Sequence, residues 1–200
     1  MQPSVQAAFL NFTRPLEGVV DGMYADVLGL VTTCIGNLID SVPAASALPW
    51  RVRATDLPAG LSDVATEWHT VKDGKIAAWH GPRPLYLRPE DIEALVAARL
   101  NQNELYLSRR WSNWNDWPAD AQLGAHSCAW AAGAAWRAPH FDLAANALDF
   151  LTCSTECLLN AAGNPGLVPR NAANMLLFCN AAEVVRLGLP RDVLCWPNTV

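Results

Sequence analysis

The residue types and spacing best suited to chemistry occur in one short segment, residues 17–36. Glu17 comes at the end of an apolar stretch, and Asp26 follows nine residues later among glycines and threonines typical of a hairpin. A pair of carboxyl groups can divide the work of a general acid and a general base. Cleavage of a glycosidic bond needs such a pair, so this segment is a candidate site for that reaction.

Two local elements would position these carboxyl groups. Residues 4–16 predict a helix that ends near Gly18, which places Glu17 at its C-terminal end. This helix has apolar residues at helical spacing: Val5, Ala8, Phe9 and Phe12. Residues 22–40 predict the extended pieces of a small sheet that contains Asp26. Its turns are expected at three glycines: Gly22, Gly29 and Gly36.

The remainder of the chain is predicted to be irregular first and helical afterwards. Residues 41–89 are rich in proline and contain one short predicted helix, Asp63–Thr70. The helices expected after it are one opening at Pro89, then Pro118–Trp136, Asp142–Leu159 and Pro169–Leu187. The tail from residue 188 onwards is expected to be a surface strap held by Trp196. The predicted fold class is therefore α+β.

The order of residues in the segment 17–36 resembles the phage-type lysozymes, glycoside hydrolase family 24. Eight residues carry the resemblance: Glu17, Gly18, Tyr24, Asp26, Gly29, Thr32, Ile35 and Gly36. It implies an α+β, lysozyme-like fold, with a cleft between a small β-hairpin lobe and a mainly helical lobe that a long helix joins. It also implies one domain over 1–200: an N-terminal helix (1–16), a catalytic β lobe with an irregular insert (17–87) and a helical lobe (88–200).

The family's activity supplies an expected reaction. By resemblance, the chain is a muramidase that hydrolyses the β-1,4 bond between N-acetylmuramic acid and N-acetylglucosamine in peptidoglycan. Glu17 is implied as the general acid, Asp26 as the base that activates water, and Thr32 as the hydroxyl that holds this water. An inverting reaction is implied, in which the two carboxyl groups stand roughly 6.5–9.5 Å apart. Packing at the helix end is expected to raise the pKa of Glu17.

Three further residues are implied as substrate-binding residues: Tyr24, Asn37 and Arg170. Arg170 belongs to a late turn and helix, and by resemblance its guanidinium pairs with the catalytic Glu17. Two positions depart from the family pattern, because Cys34 replaces a glycine and Asn37 replaces a histidine. Neither position carries the proton transfer, so activity is still expected.

Composition limits the classes of partner. Only 16% of the residues are charged and the formal net charge is −5, which argues against a broad electrostatic grip on nucleic acid or anionic lipid. The candidates for a local basic cleft are Arg51, Arg53, Arg109, Arg110 and Arg170. The histidines and cysteines lack the spacing of a zinc site, so neither a metal nor another cofactor is expected. The expected partner is a peptidoglycan glycan strand, bound by a monomer.

The cysteines and most of the tryptophans are residue types that are usually buried, and we interpret them as core residues. The six cysteines lie mostly in apolar helical contexts and are predicted to be buried free thiols. Most of the nine tryptophans are predicted to be core residues. Trp50, Trp79 and Trp114 lie in predicted loops and are candidate platforms for stacking sugars. His126, on a helix rich in alanine, is predicted to be a core histidine with satisfied hydrogen bonds.

The start of the chain lacks the pattern of a secretory signal, and no apolar run is long enough to span a membrane. We therefore expect synthesis in the cytoplasm and action in the periplasm or cell wall, after release by a holin or an injection machine. The expected context is a phage endolysin, and the same residues fit an injected antibacterial toxin. Two other functions remain open: a non-catalytic peptidoglycan-binding module, which the departures at Cys34 and Asn37 support, and a chitinase-like glycosidase.

Overall fold

The computed structural model of the protein describes the backbone of all 200 residues and every side chain except that of Trp79. Over these residues the chain forms α-helices and two three-stranded antiparallel sheets, so the predicted α+β class is confirmed. The helices are α1 (Pro3–Glu17), α2 (Val42–Ser46), α3 (Leu61–Gly74), α4 (Pro89–Arg110), α5 (Ala119–Ala132), α6 (Pro139–Asn146), α7 (Phe150–Glu156) and α8 (Leu167–Leu187). The strands are β1 (Val20–Ala25), β2 (Val31–Cys34), β3 (Asn37–Leu38), β4 (Arg51–Val52), β5 (Leu57–Pro58) and β6 (Leu85–Tyr86).

The chain divides into two compact units. The sheet unit comprises Glu17–Val96, and the helical unit comprises Met1–Leu16 together with Ala97–Val200. The predicted start of the helical lobe at residue 88 falls at the beginning of α4, whereas this division falls within that helix. The sheet unit has six basic and eleven acidic residues, and the helical unit has eight of each. The sheet unit therefore carries the whole net charge of −5.

The first sheet of the sheet unit has the strand order β1-β2-β3. Helix α1 ends at Glu17 because Gly18 adopts a left-handed conformation, with a φ of 72°. Gly29, with a φ of 75°, closes the turn between β1 and β2. The predicted helix end and the predicted turn at Gly29 are thus confirmed. In this register Tyr24 lies opposite Thr32.

Gly22 does not form the predicted turn, because it lies inside β1. A Cβ atom at this position would come 2.9 Å from the Cβ and Cγ atoms of Arg83. The glycine therefore admits a neighbouring side chain against the strand, which is a second common reason for glycine in a sheet. Local sequence does not distinguish these two uses.

The stretch 41–89, predicted to be mostly irregular, contains two helices and the second sheet, whose strand order is β5-β4-β6. Helix α3 is longer than predicted and begins two residues before Asp63. Its Trp68 donates from Nε1 to the carbonyl of Ile39 at 2.8 Å, and Ala25 donates its backbone N–H to Ile76 at 2.7 Å. These contacts attach the stretch directly to the hairpin that carries Asp26.

The helical unit is built around α5. Every residue of this helix from 119 to 130 is buried, as its alanine-rich sequence predicted. A Cβ atom at Gly124 would come 2.8 Å from the ring of Phe178, so the missing side chain lets α8 approach closely. A cluster of fully buried aromatic rings packs beside it: Trp111, Trp114, Trp117 and Phe141.

The single helix predicted over Asp142–Leu159 is wrong, because α6 and α7 are separate there. Leu148 lies between them with a φ of 57°, a conformation that ends a helix. Asp149 then caps α7 by accepting the backbone N–H of Thr152 at 3.0 Å. The apolar residues keep their helical spacing across this break, so the spacing did not indicate that one helix ends there and another begins.

Backbone hydrogen bonds attach the tail after residue 188 to the rest of the helical unit. Buried Asp120 accepts the N–H groups of Cys195, at 2.8 Å, and Trp196, at 3.0 Å. The ring of Trp196 also lies 5.3 Å from that of Phe12, edge to face. The predicted strap held by Trp196 is confirmed.

All six cysteines are free, and four of them are buried, as predicted. Burial raises the pKa of the Cys153 and Cys157 thiols to about 12, so neither is a reactive thiolate. No helix in the described part of the chain is long and apolar enough to cross a membrane.

Candidate functional site

Glu17 is the last residue of α1 and the first of the sheet unit. Its side chain is exposed. The expected rise in the pKa of Glu17 from packing at the helix end stays a prediction.

Asp26 follows β1 and organises the turn behind it. Its Oδ1 accepts the backbone N–H groups of Leu28, at 2.8 Å, and Leu30, at 2.9 Å. The Asp26 N–H in turn donates to the Leu30 carbonyl at 2.9 Å. One carboxyl oxygen is thus used to hold the turn, which orients the carboxyl group and leaves Oδ2 for chemistry.

A cavity of about 550 Å³ lies beside this turn, entirely within the sheet unit. Tyr24 and Asp26 line it on the hairpin side, and Lys75, Ala77 and His80 line it on the side of the chain that follows α3. A concave space of this size with a few polar groups is typical of a small-ligand site. The turn residue Asp26 therefore faces a space that a sugar ring can enter.

Tyr24 connects the two candidate carboxyl groups electrostatically. Its side chain is half-buried, and its pKa is raised first by burial, then by the negative charges of Glu17 and Asp26. A hydrogen bond with the backbone of Gly36 acts in the opposite direction. Because both carboxylates affect one hydroxyl group, both lie within Coulombic range of the same point.

Thr32 lies in β2 opposite Tyr24 and is buried, with 4% of its surface exposed. Its hydroxyl donates to the Leu30 carbonyl at 3.3 Å, a long hydrogen bond. The proton of this hydroxyl is therefore engaged, and only its lone pairs remain to accept a hydrogen bond from a water molecule.

Asn37 lies in β3, paired with Thr33. Its Oδ1 is buried and has no hydrogen-bond partner among the described residues. Protein atoms therefore enclose this oxygen. The predicted contact of Asn37 with a substrate is not available to its Oδ1 atom.

Arg170 belongs to the helical unit, in the first turns of α8. It is buried, with 1% exposed, and its Nη1 donates to the Ser127 carbonyl at 3.2 Å and to Ser127 Oγ at 3.0 Å. Its side chain is therefore enclosed by protein, and its predicted role in substrate binding stays a prediction. Its predicted pairing with Glu17 stays a prediction.

Cys34, one of the departures from the family pattern, adopts a left-handed backbone with a φ of 56°. This conformation costs a residue with a side chain about 1–2 kcal/mol, whereas glycine adopts it freely. Burial raises the pKa of the Cys34 thiol to about 11, so the sulfur is unreactive. The position has the conformation that glycine favours but holds a strained, buried cysteine.

The aromatic candidates for sugar stacking are mostly enclosed. Trp50 is 2% exposed and Trp114 is 1% exposed, so neither can act as a sugar platform. Trp79, the third candidate, lies outside the described side chains. Both buried rings come from loops that fold back onto the core, which their loop position did not indicate.

His126 is a core histidine, as predicted, but its hydrogen bonding is incomplete. Its Nε2 lies 3.0 Å from Glu104 Oε2, while its Nδ1 is buried and has no partner among the described residues. Burial lowers the pKa of His126 in spite of the Glu104 carboxylate. A neutral imidazole that donates from Nε2 to Glu104 and carries no proton on its buried Nδ1 is consistent with both observations.

Lys72 is an important residue that the sequence did not indicate. Its Nζ lies 2.7 Å from Asp40 Oδ1 and 3.1 Å from the Gly29 carbonyl, so α3 holds both ends of the hairpin. Asp40 and Lys72 are 32 residues apart, and no local pattern pairs them. The predicted helix Asp63–Thr70 ended before Lys72, whereas α3 in fact continues to Gly74.

No group of three side chains suited to hold a metal ion occurs among the described residues. Comparison of the chain with known protein families, curated proteins and solved structures finds no match. The cavity lined by Tyr24 and Asp26, together with the effect of the Glu17 charge on Tyr24, is therefore the principal basis for a functional assignment.

Proposed function

We propose that this protein is a lysozyme-like muramidase that hydrolyses the β-1,4 bond between N-acetylmuramic acid and N-acetylglucosamine in peptidoglycan. One observation carries the proposal: the charges of Glu17 and Asp26 both raise the pKa of Tyr24, and Tyr24 and Asp26 line a cavity of about 550 Å³. Two carboxyl groups near one sugar-sized space are the minimum machinery of a glycosidase.

In the proposed reaction, Glu17 donates its proton to the glycosidic oxygen as the bond from this oxygen to the anomeric carbon breaks. Asp26 accepts a proton from a water molecule, and the water oxygen attacks the anomeric carbon from the opposite face. The lone pairs of Thr32 accept the second hydrogen of this water. The configuration at the anomeric carbon is inverted, and Glu17 is reprotonated from solvent.

The exposure of Glu17 has a consequence for this mechanism. A general acid must hold its proton near neutral pH, and desolvation is the usual means of keeping it. In the proposal the bound glycan covers the exposed side chain of Glu17 and adds to its desolvation. Tyr24 lines the cavity beside Asp26 and donates a hydrogen bond to the sugar.

The test is the release of reducing ends from purified peptidoglycan. Glu17→Gln keeps the shape of the side chain but removes the acid, and we expect activity to fall by more than about a hundredfold. Glu93→Gln, which alters an exposed carboxyl of the same unit, should retain full activity. Activity in Glu17→Gln equal to that of the unaltered protein, with an unchanged circular dichroism spectrum, would refute the assignment.

A second candidate is a non-catalytic peptidoglycan-binding module. It is favoured by the exposure of Glu17 and by the strained Cys34 in the hairpin. This function predicts that the protein sediments with purified peptidoglycan but releases no reducing ends. The muramidase releases them, and one assay therefore decides between the two.

The proposed setting is the bacterial cell wall, reached after synthesis in the cytoplasm. A phage endolysin released through a holin and a toxin delivered by an injection machine both use this chemistry. A holin gene beside the coding sequence would support the first, and an immunity gene would support the second. A chitinase-like activity is tested by replacing peptidoglycan with chitin oligosaccharides in the same assay.

A further inference from the structure

Two adjoining cavities lie on the helical unit, apart from the cavity beside Asp26. The first, of about 470 Å³, is lined by Gln102, Tyr106 and Arg109 among others. The second, of about 560 Å³, is lined by Trp136 and Arg137 among others. Tyr106 and Arg110 line both cavities, so together they form one arginine–aromatic groove.

The wall of this groove is rigid. Arg110 donates to both oxygens of Asp142, from Nε at 2.9 Å and from Nη2 at 3.0 Å. Its guanidinium lies over the ring of Trp111, at 4.7 Å, and over that of Trp136, at 4.3 Å. Trp136 also meets Phe141, with ring centroids 6.1 Å apart. A tryptophan held on several sides presents a preorganised surface to a ligand.

The groove also carries positive charge that the described residues do not neutralise. Arg109 and Arg137 are exposed, and neither has an ion-pair partner in the described part of the chain. By contrast, Asp142 neutralises Arg110. Basic and acidic residues are equal in number over the helical unit as a whole, so this excess is local. Arg109 was among the five arginines that were candidates for a basic cleft, and Arg137 was not.

We propose that the arginine–aromatic groove binds an acidic saccharide. Tyr106, which is 46% exposed, and Trp136 offer faces against which a pyranose ring can pack. The planar guanidinium groups of Arg109 and Arg137 match the two oxygens of a carboxylate. Two joined cavities of this size accommodate two sugar rings.

Nucleic acid fits the groove less well. Binding to a phosphate backbone uses many basic residues along an extended track, and here two arginines flank a short concave groove. The net charge of −5 further disfavours a polyanion with closely spaced charges. A glycan with a carboxylate on alternate sugars carries fewer charges per length than a phosphate backbone, and two arginines can bind them.

The groove proposal extends the proposed function. Naming the acidic saccharide as the N-acetylmuramic acid of peptidoglycan rests on that function, since the lactyl ether of this sugar provides a carboxylate wherever no stem peptide is attached to it. The groove would then hold the wall polymer on the helical unit while cleavage takes place beside Asp26 on the sheet unit. Binding at the groove does not itself require hydrolysis.

The test is binding of purified, insoluble peptidoglycan from which an amidase has removed the stem peptides, measured by sedimentation, with Glu17→Gln in every protein so that no cleavage occurs. We expect Arg109→Ala with Arg137→Ala to weaken binding about tenfold, as loss of two charge-assisted contacts predicts. Arg186→Ala is the matched control, because it removes an exposed arginine of the same unit outside the groove. Chemical reduction of the carboxyl groups of peptidoglycan should weaken its binding to the parent protein. This weakened binding should equal the binding of unreduced peptidoglycan to the double variant.

Soluble sugars provide the second measurement. N-acetylmuramic acid, but not N-acetylglucosamine, should shift the indole N–H resonance of Trp136 in nuclear magnetic resonance spectra. The proposal is overturned if the double variant binds peptidoglycan like the control, or if both sugars leave this resonance unchanged.

These results are separate from those that test the muramidase. With Glu17 restored, the double variant should cleave a soluble peptidoglycan tetrasaccharide at the unaltered rate but insoluble wall more slowly. Groove binding without any release of reducing ends would refute the muramidase proposal but not the groove proposal. Normal cleavage together with unaltered binding in the double variant would refute the groove alone.

Discussion

Lys72 Nζ lies 2.7 Å from Asp40 Oδ1 and 3.0 Å from Asp40 Oδ2. The same ammonium group donates to the Gly29 carbonyl at 3.1 Å, and Asp40 accepts the Val31 N–H at 2.8 Å. One ion pair between α3 and the chain after β3 thus holds the turn on which Asp26 depends. The stretch 41–89 therefore positions the candidate catalytic hairpin.

Lys72→Met should misplace this hairpin without removing a reacting group. A displacement of about 1 Å in a catalytic group lowers turnover by ten- to a hundredfold, so we expect kcat to fall within that range and KM to change little. Hydrogen exchange at the Leu30 and Val31 amides should become faster in parallel. Asp73→Asn, an exposed change on the same helix, is the control. Unchanged exchange together with reduced kcat would contradict a positioning role.

Asp26 combines a structural role with the proposed chemical role, and two substitutions separate them. Asn accepts the same backbone N–H groups from Leu28 and Leu30, so Asp26→Asn should lose activity but keep its stability. Asp26→Ala loses both hydrogen bonds and should cost about 1 kcal/mol of unfolding free energy in addition. Urea denaturation and reducing-end release measure the two effects. Equal stability of the two variants would show that the turn does not need the side chain.

The strain at Cys34 predicts that glycine at this position gives a more stable protein than valine does. Cys34→Gly relieves about 1 kcal/mol of backbone strain but loses a comparable amount of apolar burial, so stability should change by less than about 1 kcal/mol. Cys34→Val should destabilise by about 2 kcal/mol or more, because a β-branched residue is disfavoured at positive φ. Thermal denaturation measures both. A Val variant more stable than the Gly variant would exclude the left-handed backbone.

The buried pair of His126 and Glu104 predicts a pH dependence of stability. Burial lowers the pKa of His126 in the folded protein, so the unfolded chain binds its proton first as the pH falls. This contribution is complete above the unfolded pKa of about 6.5, and the unfolding free energy should fall below it by up to about 1.4 kcal/mol per pH unit. Hydrogen bonds from His126 and Trp114 outweigh burial and lower the pKa of Glu104 to about 2, which extends the loss below about pH 4.5.

His126→Gln isolates the first part of this dependence. The glutamine does not titrate, so the slope between about pH 7 and about pH 5 should become flatter. His140→Gln, an exposed histidine in the same unit, should leave the slope as it was. Urea denaturation at several pH values provides the measurement, and equal slopes in the two variants would refute the assignment to His126.

Local patterns in the sequence predicted several elements correctly. The end of α1 at Gly18, the turn at Gly29 and the buried helix α5 each depend on residues close together in the chain. A left-handed backbone favours glycine, and close packing around a buried helix favours small apolar residues, so composition and spacing are informative at these positions. The clustering of Glu17 and Asp26 near Tyr24 follows from the same short range.

Local patterns in the sequence failed at two positions. The apolar periodicity across 142–159 does not reveal the left-handed Leu148, because a single backbone rotation interrupts the helix without changing the pattern. Loop positions suggested that Trp50 was open to solvent, yet its Nε1 donates at 2.8 Å to the Ala45 carbonyl within the core. At Leu148 a local backbone rotation ended the helix, and at Trp50 packing into the core overrode the loop position.

The sequence by itself determined the class of the fold, the hairpin and the two carboxyl groups, since each of these depends on neighbours along the chain. Only the tertiary structure decided that Lys72 holds the hairpin, that Arg170 is enclosed, and that Arg109 and Arg137 share one groove. The physical reason is that ion pairs, burial and cavities arise between side chains far apart in sequence, and their partners are chosen by the packing of whole elements.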